Sequence, residues 1–304
     1  MPSRIHDDQV SLDEAQVRAL LAAQLPQAVG LSLREVAAGT DHALWRLGED
    51  LAVRLPLRAS AAAQAQKEQQ WLPRLAKGLP LPIPEAIFAG RPSDTYPWAW
   101  SVCRWIEGRT PAEGDDLVAT ARDLGGFVAA LRAQESTGGP AAGGHNFGRG
   151  LPLATRDTAT RQAIAACAGL IDTDAALEAW TRDSAAPVWT GPALWVHGDL
   201  CRGNLLLREG RLAAVIDFGG LGLGDPACDL LPAWNLFDAQ ARAAYRAALA
   251  PDEASWVRGR AWALSVALIQ LPYYRETLPA LAADAMRTIE AVLKDTPPSA
   301  PAAA

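Results

Sequence analysis

Apolar residues along this chain recur in three stretches: at helical spacing near the start, at every second residue over 31–55, and at helical spacing again over most of the second half. Residues 11–25 open on Ser11, with Glu14 three positions later, and then show helical periodicity, so a leading helix capped by Ser11 is expected. Over residues 31–55 the period falls to two, broken by Gly39-Thr-Asp-His42 and by Gly48-Glu-Asp50, which predicts three antiparallel strands. The Ala- and Gln-rich stretch 60–72 predicts a helix that Pro73 bends or ends. Residues 81–88 and 98–105 read as two more strands. Beyond Glu107-Gly108 the pattern is helical over 111–134, 156–167, 175–182, 239–249 and most of 255–294. Strand signals persist there only around a hairpin near residue 210. Residues 136–145 form a glycine-rich segment expected to be a flexible loop, and no internal repeat is visible.

Strands followed by helices predict an α+β fold of two lobes. The expected division is a small antiparallel-sheet lobe with one inserted helix over residues 1–104, a larger and mainly helical lobe over 105–295, and a disordered Pro- and Ala-rich tail over 296–304.

Composition narrows the classes. The chain has 304 residues, half of them hydrophobic, enough for a sizeable core. A net charge of -6 argues against phosphate-neutralising contact with nucleic acid. Cys103, Cys167, Cys201 and Cys228 form no C-x-x-C pair and have no His at metal-ligand spacing, so reduced thiols in a cytoplasmic setting are expected. The N-terminal stretch lacks the apolar core of a signal peptide, and the most apolar segment, 261–269, is too short to span a bilayer, so no membrane association is expected. There is no G-x-x-x-x-G-K-[ST], and Gly220-Leu-Gly-Leu-Gly224 fails the G-x-G-x-x-G spacing, which excludes P-loop and dinucleotide-binding folds. No Ser/His/Asp or Cys/His arrangement points to a nucleophilic hydrolase.

The chemistry concentrates in His197-Gly-Asp199-Leu-Cys-Arg-Gly-Asn204 and Ile216-Asp217-Phe218-Gly219. Two short strands reversing at Glu209-Gly210 would bring Asn204 opposite residues 215–217. Opposed side chains lie about 5 Å apart, close enough for Asn204 and Asp217 to share one Mg²⁺ through hard oxygen ligands. Asp199, in the turn feeding the first strand, is free to accept a proton.

The first of these runs resembles the catalytic loop of the aminoglycoside phosphotransferase family, relatives of protein kinases that use H-G-D in place of H-R-D, and Ile216-Asp217-Phe218-Gly219 stands where kinases have D-F-G. The resemblance implies a protein-kinase-like bilobal fold, with Asp199 as the base that orients and deprotonates an acceptor hydroxyl, and Asn204 and Asp217 holding Mg²⁺ on the phosphates of ATP or GTP. His197 is then a loop-fixing residue. Asp225 and Asp229, in the family-like run Gly224-Asp-Pro-Ala-Cys-Asp-Leu230, support the catalytic loop, with Asp225 as a helix cap ahead of Pro226.

Leu51-Ala-Val-Arg54 resembles the kinase V-A-I-K strand, with Arg54 in place of the phosphate-gripping Lys. The chain carries 25 Arg against three Lys, and an Arg fork still donates to phosphate oxygens. By alternation Ala52 and Arg54 share one face of the strand. The resemblance further implies Glu68 as the acidic partner of Arg54, the Gly39 turn as a cover over the phosphates, and Cys103-Arg-Trp105 as the inter-lobe connection whose backbone meets the base.

Only Gly220-Leu-Gly-Leu-Gly224 separates Asp217-Phe-Gly219 from Asp225, leaving no activation segment ending in A-P-E to hold a peptide, so a small hydroxylated acceptor is expected, an antibiotic of aminoglycoside or macrolide type. Nine acidic against seven basic residues between Asp225 and Asp295 are too weak an excess to demand a polycation. Trp234, Phe237, Trp256, Trp262, Tyr273 and Tyr274 would suit a bulky ring system if they do not simply pack a core. A kinase for an amino alcohol or sugar, or a nucleotide-binding regulator without transfer activity, are the alternatives.

Overall fold

The two-residue alternation near the start builds a five-stranded antiparallel sheet in a computed structural model that describes residues 8–38 and 41–295. Its strands are β1 (Leu33–Ala38), β2 (His42–Leu47), β3 (Leu51–Pro56), β4 (Ala86–Gly90) and β5 (Trp100–Arg104), in the order β1-β2-β3-β5-β4. Val53 and Leu55 point into a core shared with Leu47, Trp45, Trp100 and Val102, while Arg54 faces the other way. A leading helix, α1 (Glu14–Gln24), closes this core through Val17, Leu20 and Leu21. Its cap is Asp13 rather than Ser11. Asp13 accepts from Gln16 N–H at 2.8 Å while the Gln16 side chain accepts from Asp13 N–H at 2.9 Å, a reciprocal pair that Ser11 stands too far upstream to make.

The inserted helix α2 (Ala59–Leu75) runs through Pro73. The proline forfeits one backbone bond, but Trp71, Leu72 and Leu75 lie on the buried side and join the larger core, so the helix continues. The expected strand over 81–88 shrinks to β4, because Pro82 and Pro84 cannot donate to a ladder.

The second half is helical as expected: α3 (Val118–Arg132), α4 (Asp157–Ala166), α5 (Thr173–Ser184), a short α6 (Pro232–Asn235), α7 (Ala239–Leu249), α8 (Glu253–Tyr274) and α9 (Pro279–Lys294). Helix α3 begins seven residues later than the pattern suggests. Asp115 accepts from Ala112 N–H and from Arg109, and Asp116 accepts from Val118 N–H, so side chains claim the backbone donors and make turns there. Helix α8 is buried almost all round, with Trp262 and Leu264 fully inaccessible, and carries the larger core.

Two further strand pairs frame the loops of interest. β7 (Leu205–Arg208) and β8 (Arg211–Val215) form the expected hairpin, with Leu205 opposite Val215. Glu209 and Gly210 both adopt left-handed φ, 53° and 75°, as a two-residue hairpin turn requires. β6 (Leu194–Val196) pairs with β9 (Gly222–Gly224), a strand within the glycine run that alternation does not reveal. The segment expected to be a flexible loop is instead held along its length: Ala142 N–H donates to Leu223 O, Leu223 N–H to Pro140 O, and Asn146 is fully buried. All four cysteines are free thiols. Among the described residues no helix is long and apolar enough to cross a membrane. The disordered tail expected over 296–304 lies outside the described residues.

Candidate active site

The β7–β8 hairpin fixes the centre of the site. Ile216 N–H donates to Asn204 O at 2.9 Å, which extends the ladder by one bond and sets Asn204 opposite Ile216, the residue before Asp217. The Asn204 amide nitrogen donates to Asp199 O at 2.7 Å and to Asp199 Oδ2 at 3.2 Å. Both partners can only accept, so the amide orientation is determined and Oδ1 is the atom left over as a ligand.

The loop before the hairpin is braced from below. Asp229, fully buried, accepts from His197 N–H on Oδ2 and from Gly198 N–H on Oδ1, each at 2.8 Å. The His197 ring accepts from Asp199 N–H through Nδ1 at 3.2 Å and faces Ile216 O through Nε2 at 3.1 Å, an arrangement that requires the neutral Nε2–H tautomer. Asp225 caps the 3-10 turn Pro226–Leu230 by accepting from Ala227 N–H, and Arg258 grips it from α8 at 2.7 Å. Gly198 sits at φ +80°, and a Cβ there would stand 2.4 Å from Gly220 O, so only glycine lets the two loops approach so closely.

Across the cleft, Arg54 on β3 meets Glu68 on α2 at 2.6 Å and reaches to 4.0 Å from Asp217 Oδ1. Burial works against the Arg54 guanidinium, but the charges of Glu68 and Asp217 outweigh it and hold its pKa above the usual value. Burial would likewise raise the Asp217 carboxyl, yet Arg54 holds it below the ordinary carboxylate range. Asp217 itself has φ 62°, a left-handed conformation uncommon for a residue with a Cβ, and accepts from Gly219 N–H at 3.4 Å. Asp199 differs: burial, reinforced by the charge of Asp217, raises its pKa against the pull of Arg149. A carboxyl so raised is a better proton acceptor than a fully solvated one.

Among the described residues no three His, Cys, Asp or Glu side chains gather to hold a metal by themselves. One amide oxygen and one carboxylate are nonetheless the donor set of a Mg²⁺ that takes its other ligands from phosphates and water, so Asn204 and Asp217 fit that ion in the presence of a nucleotide.

Asp199, Asn204, Asp217, Arg54 and Glu68 are thus brought together, with His197, Asp225 and Asp229 beneath them. Ala52 lies on the Arg54 face of β3 and pairs with Cys103 on β5, whose side chain is buried, and Trp105 follows where the chain leaves the sheet. Gly39 lies outside the described residues. Four of the six aromatics proposed for the acceptor region, Trp234, Phe237, Trp256 and Trp262, are core residues, and Tyr273 is the exposed one. No motif pointed to Arg149 or Lys67, and His42 stands out in the sequence only as the last residue of the Gly39-Thr-Asp-His42 turn. Arg149 Nη2 lies 3.7 Å from Asp199 Oδ1. Lys67 donates to Gly219 O and Leu221 O at 2.8 Å each, tying α2 to the segment after Asp217. His42 opens β2, and burial followed by the charge of Arg54 lowers its pKa to about 3, so it is neutral beside Arg54.

Over residues 32–262 the chain matches the model of the phosphotransferase enzyme family, APH. Comparison with curated proteins finds no match. The fold is similar to that of APH(2")-IIia in its GDP and kanamycin complex (TM-score 0.72, 17% identity, covering 93% of this chain and 100% of that one). It is also similar to the GDP complex of wild-type aminoglycoside 2'-phosphotransferase-IIIa (0.73, 19%, 93% and 99%). Macrolide 2'-phosphotransferase MphH from Brachybacterium faecium, as apoenzyme, superposes with a TM-score of 0.61 at 23% identity over 90% of this chain and 97% of that one.

Proposed function

The chain belongs to the phosphotransferase enzyme family, and from that premise we propose that it moves the γ-phosphoryl group of ATP or GTP, with Mg²⁺, to a hydroxyl of an antibiotic of aminoglycoside or macrolide type in the cytoplasm. The observation that carries this reading is the Asn204 amide bonded to Asp199 on one side and, through the hairpin, Asn204 set opposite the residue before Asp217 on the other. Of the similar structures, one holds kanamycin and another is a macrolide 2'-phosphotransferase, which supports both acceptor types.

Asp199 takes the proton of the acceptor hydroxyl as its oxygen bonds to the γ-phosphorus and the bond to the bridging oxygen of the nucleoside diphosphate breaks. Arg54, steadied by Glu68, grips the phosphates, and Ala52 and the backbone from Cys103 to Trp105 enclose the nucleotide. Asn204 and Asp217 would hold the cation, which would supply positive charge against the nucleotide phosphates during transfer. His197, Asp225 and Asp229 keep the loop in register.

The test is nucleotide consumption, with detection of one added phosphate by mass, for the chain and its Asp199→Ala variant against kanamycin, gentamicin and erythromycin, plus choline and glucose. Acceptor-dependent turnover with an antibiotic, cut by about 10²- to 10⁴-fold in the variant with nucleotide binding retained, is the expected result. Transfer only to choline or glucose would make it a metabolite kinase, and no transfer to any compound would leave a nucleotide-binding regulator.

A further inference from the structure

Arg149 is 8% exposed, and its Nε and Nη1 are shut away from solvent with no acceptor in reach. Burying a guanidinium this way is costly, and a nearby carboxylate offsets part of that cost by compensating its charge. The remaining nitrogen, Nη2, faces Asp199 Oδ1 at 3.7 Å, and among the described residues Asp199 is the only carboxylate within ion-pair distance of Arg149. Taking Asp199 as the base, as above, we propose that Arg149 is a positioning residue: it holds one oxygen of the Asp199 carboxylate while Asn204 holds the other.

The two contacts fall on different oxygens, Arg149 on Oδ1 and Asn204 Nδ2 on Oδ2 at 3.2 Å, so together they fix the rotation of the carboxylate about its Cβ–Cγ bond. Without the first, a side chain 40% exposed to the cleft is tethered on one oxygen alone. The arginine is itself held firmly. Its N–H donates to Asn146 O at 3.0 Å, and the buried Asn146 amide donates back to Arg149 O at 2.8 Å and onward to Gly220 O at 3.3 Å. Its stem fills the space beside Gly198, where a Cβ would come within 2.9 Å of Arg149 Cβ. Its guanidinium carbon stands 5.8 Å from the Trp262 ring, within reach of a favourable cation–π contact. A ligand cannot reach the inaccessible Nε and Nη1, which argues against an anion site and for a brace behind the base. Segment 143–150 thereby joins the Gly220 backbone after Asp217 to the Asp199 carboxylate.

Because a misplacement of about 1 Å can cost roughly 10²-fold in rate, Arg149→Ala is expected to lower kcat by about 10- to 100-fold while the KM for the nucleotide stays within about twofold. Transfer would be followed from radiolabelled GTP and ATP to kanamycin, to erythromycin and to water. Guanidinium ion added to Arg149→Ala should return part of the rate, Arg149→Lys should fall between the two, and Arg149→Ala should add nothing to Asp199→Ala. Compared with a crystal structure of the parent, that of Arg149→Ala should show the Asp199 carboxylate turned from its parental orientation. A kcat within about threefold of the parent, or an unmoved Asp199 in the variant structure, would overturn the proposal, and the structural comparison decides even where no compound accepts phosphate. If Asp199→Ala keeps its transfer, the base assignment fails; if it loses transfer while Arg149→Ala stays within about threefold of the parent, only the role of Arg149 fails. Should Arg149→Ala not fold, Arg149→Gln, which keeps most of the stem, is read in the same two ways.

Discussion

Replacing Asp229 with alanine separates a supporting role from a chemical one. The side chain is fully buried, and its two oxygens accept the backbone N–H groups of His197 and Gly198 at 2.8 Å each. Alanine leaves both donors without their acceptors. At about 1–3 kcal/mol for each buried unsatisfied group, the loss is about 2–6 kcal/mol. With about 2–4 °C for each kcal/mol in a large domain, the midpoint of thermal unfolding should fall by roughly 10 °C. Asparagine, of the same shape, still offers one oxygen but sets an NH₂ against the other N–H, so about half the loss or more should remain. The assay is urea unfolding followed by far-ultraviolet circular dichroism, with kcat and the nucleotide KM measured on the folded fraction. If Asp229→Ala unfolds within about 1 kcal/mol of the parent, the bracing role is wrong. If it remains equally stable but loses transfer completely, Asp229 takes part in the chemistry itself.

Other perturbations address the remaining elements. Asp217→Asn should weaken nucleotide binding in the presence of Mg²⁺ and leave the weak binding seen in EDTA unchanged; calorimetry showing the same magnesium dependence as the parent would count against Asp217 as a ligand. Glu68→Ala strips Arg54 of a partner 2.6 Å away while both side chains are largely buried, which should cost about 3–5 kcal/mol in denaturant unfolding and raise the nucleotide KM; a loss below about 1 kcal/mol would show the pair to be dispensable. Burial raises the Asp229 carboxyl above its ordinary range, so the folded state binds this proton more tightly than the unfolded chain and the contribution of Asp229 to stability grows as pH falls through the interval between the two pKa values. The stability gap between the parent and Asp229→Asn should therefore widen from neutral pH towards that interval, and a gap that narrows would reverse the sign of the argument.

What could be read from the sequence, and what could not, follows from the range of the interactions. The hairpin was legible because it is local: period-two strands, a Glu209-Gly210 turn able to take positive φ, and Asn204 carried opposite the residues around Asp217 by counting alone. Strand β3 was legible for the same reason, and its alternation put Arg54 on the face where Glu68 meets it. Ser11 lost the cap to Asp13 because Gln16 completes a reciprocal pair, a contest between two adequate residues that only the backbone decides. The glycine run at 222–224 hid β9 because glycine carries no strand preference, and pairing with β6 settles it. Arg149 and Lys67 act across separations that no local pattern encodes, 50 residues to Asp199 for one and 154 to Leu221 for the other. The glycines at 198 and 220 are where these scales meet. Each looks like an ordinary loop residue, yet a Cβ on Gly198 would stand 2.4 Å from Gly220 O, and one on Gly220 would stand 2.7 Å from His197 O. The spacing of the motif places Asp199 and Asp217 in the same neighbourhood, whereas the missing side chains at 198 and 220 let their loops close to contact. Alanine at either glycine keeps every polar residue of the site and should still separate the two halves.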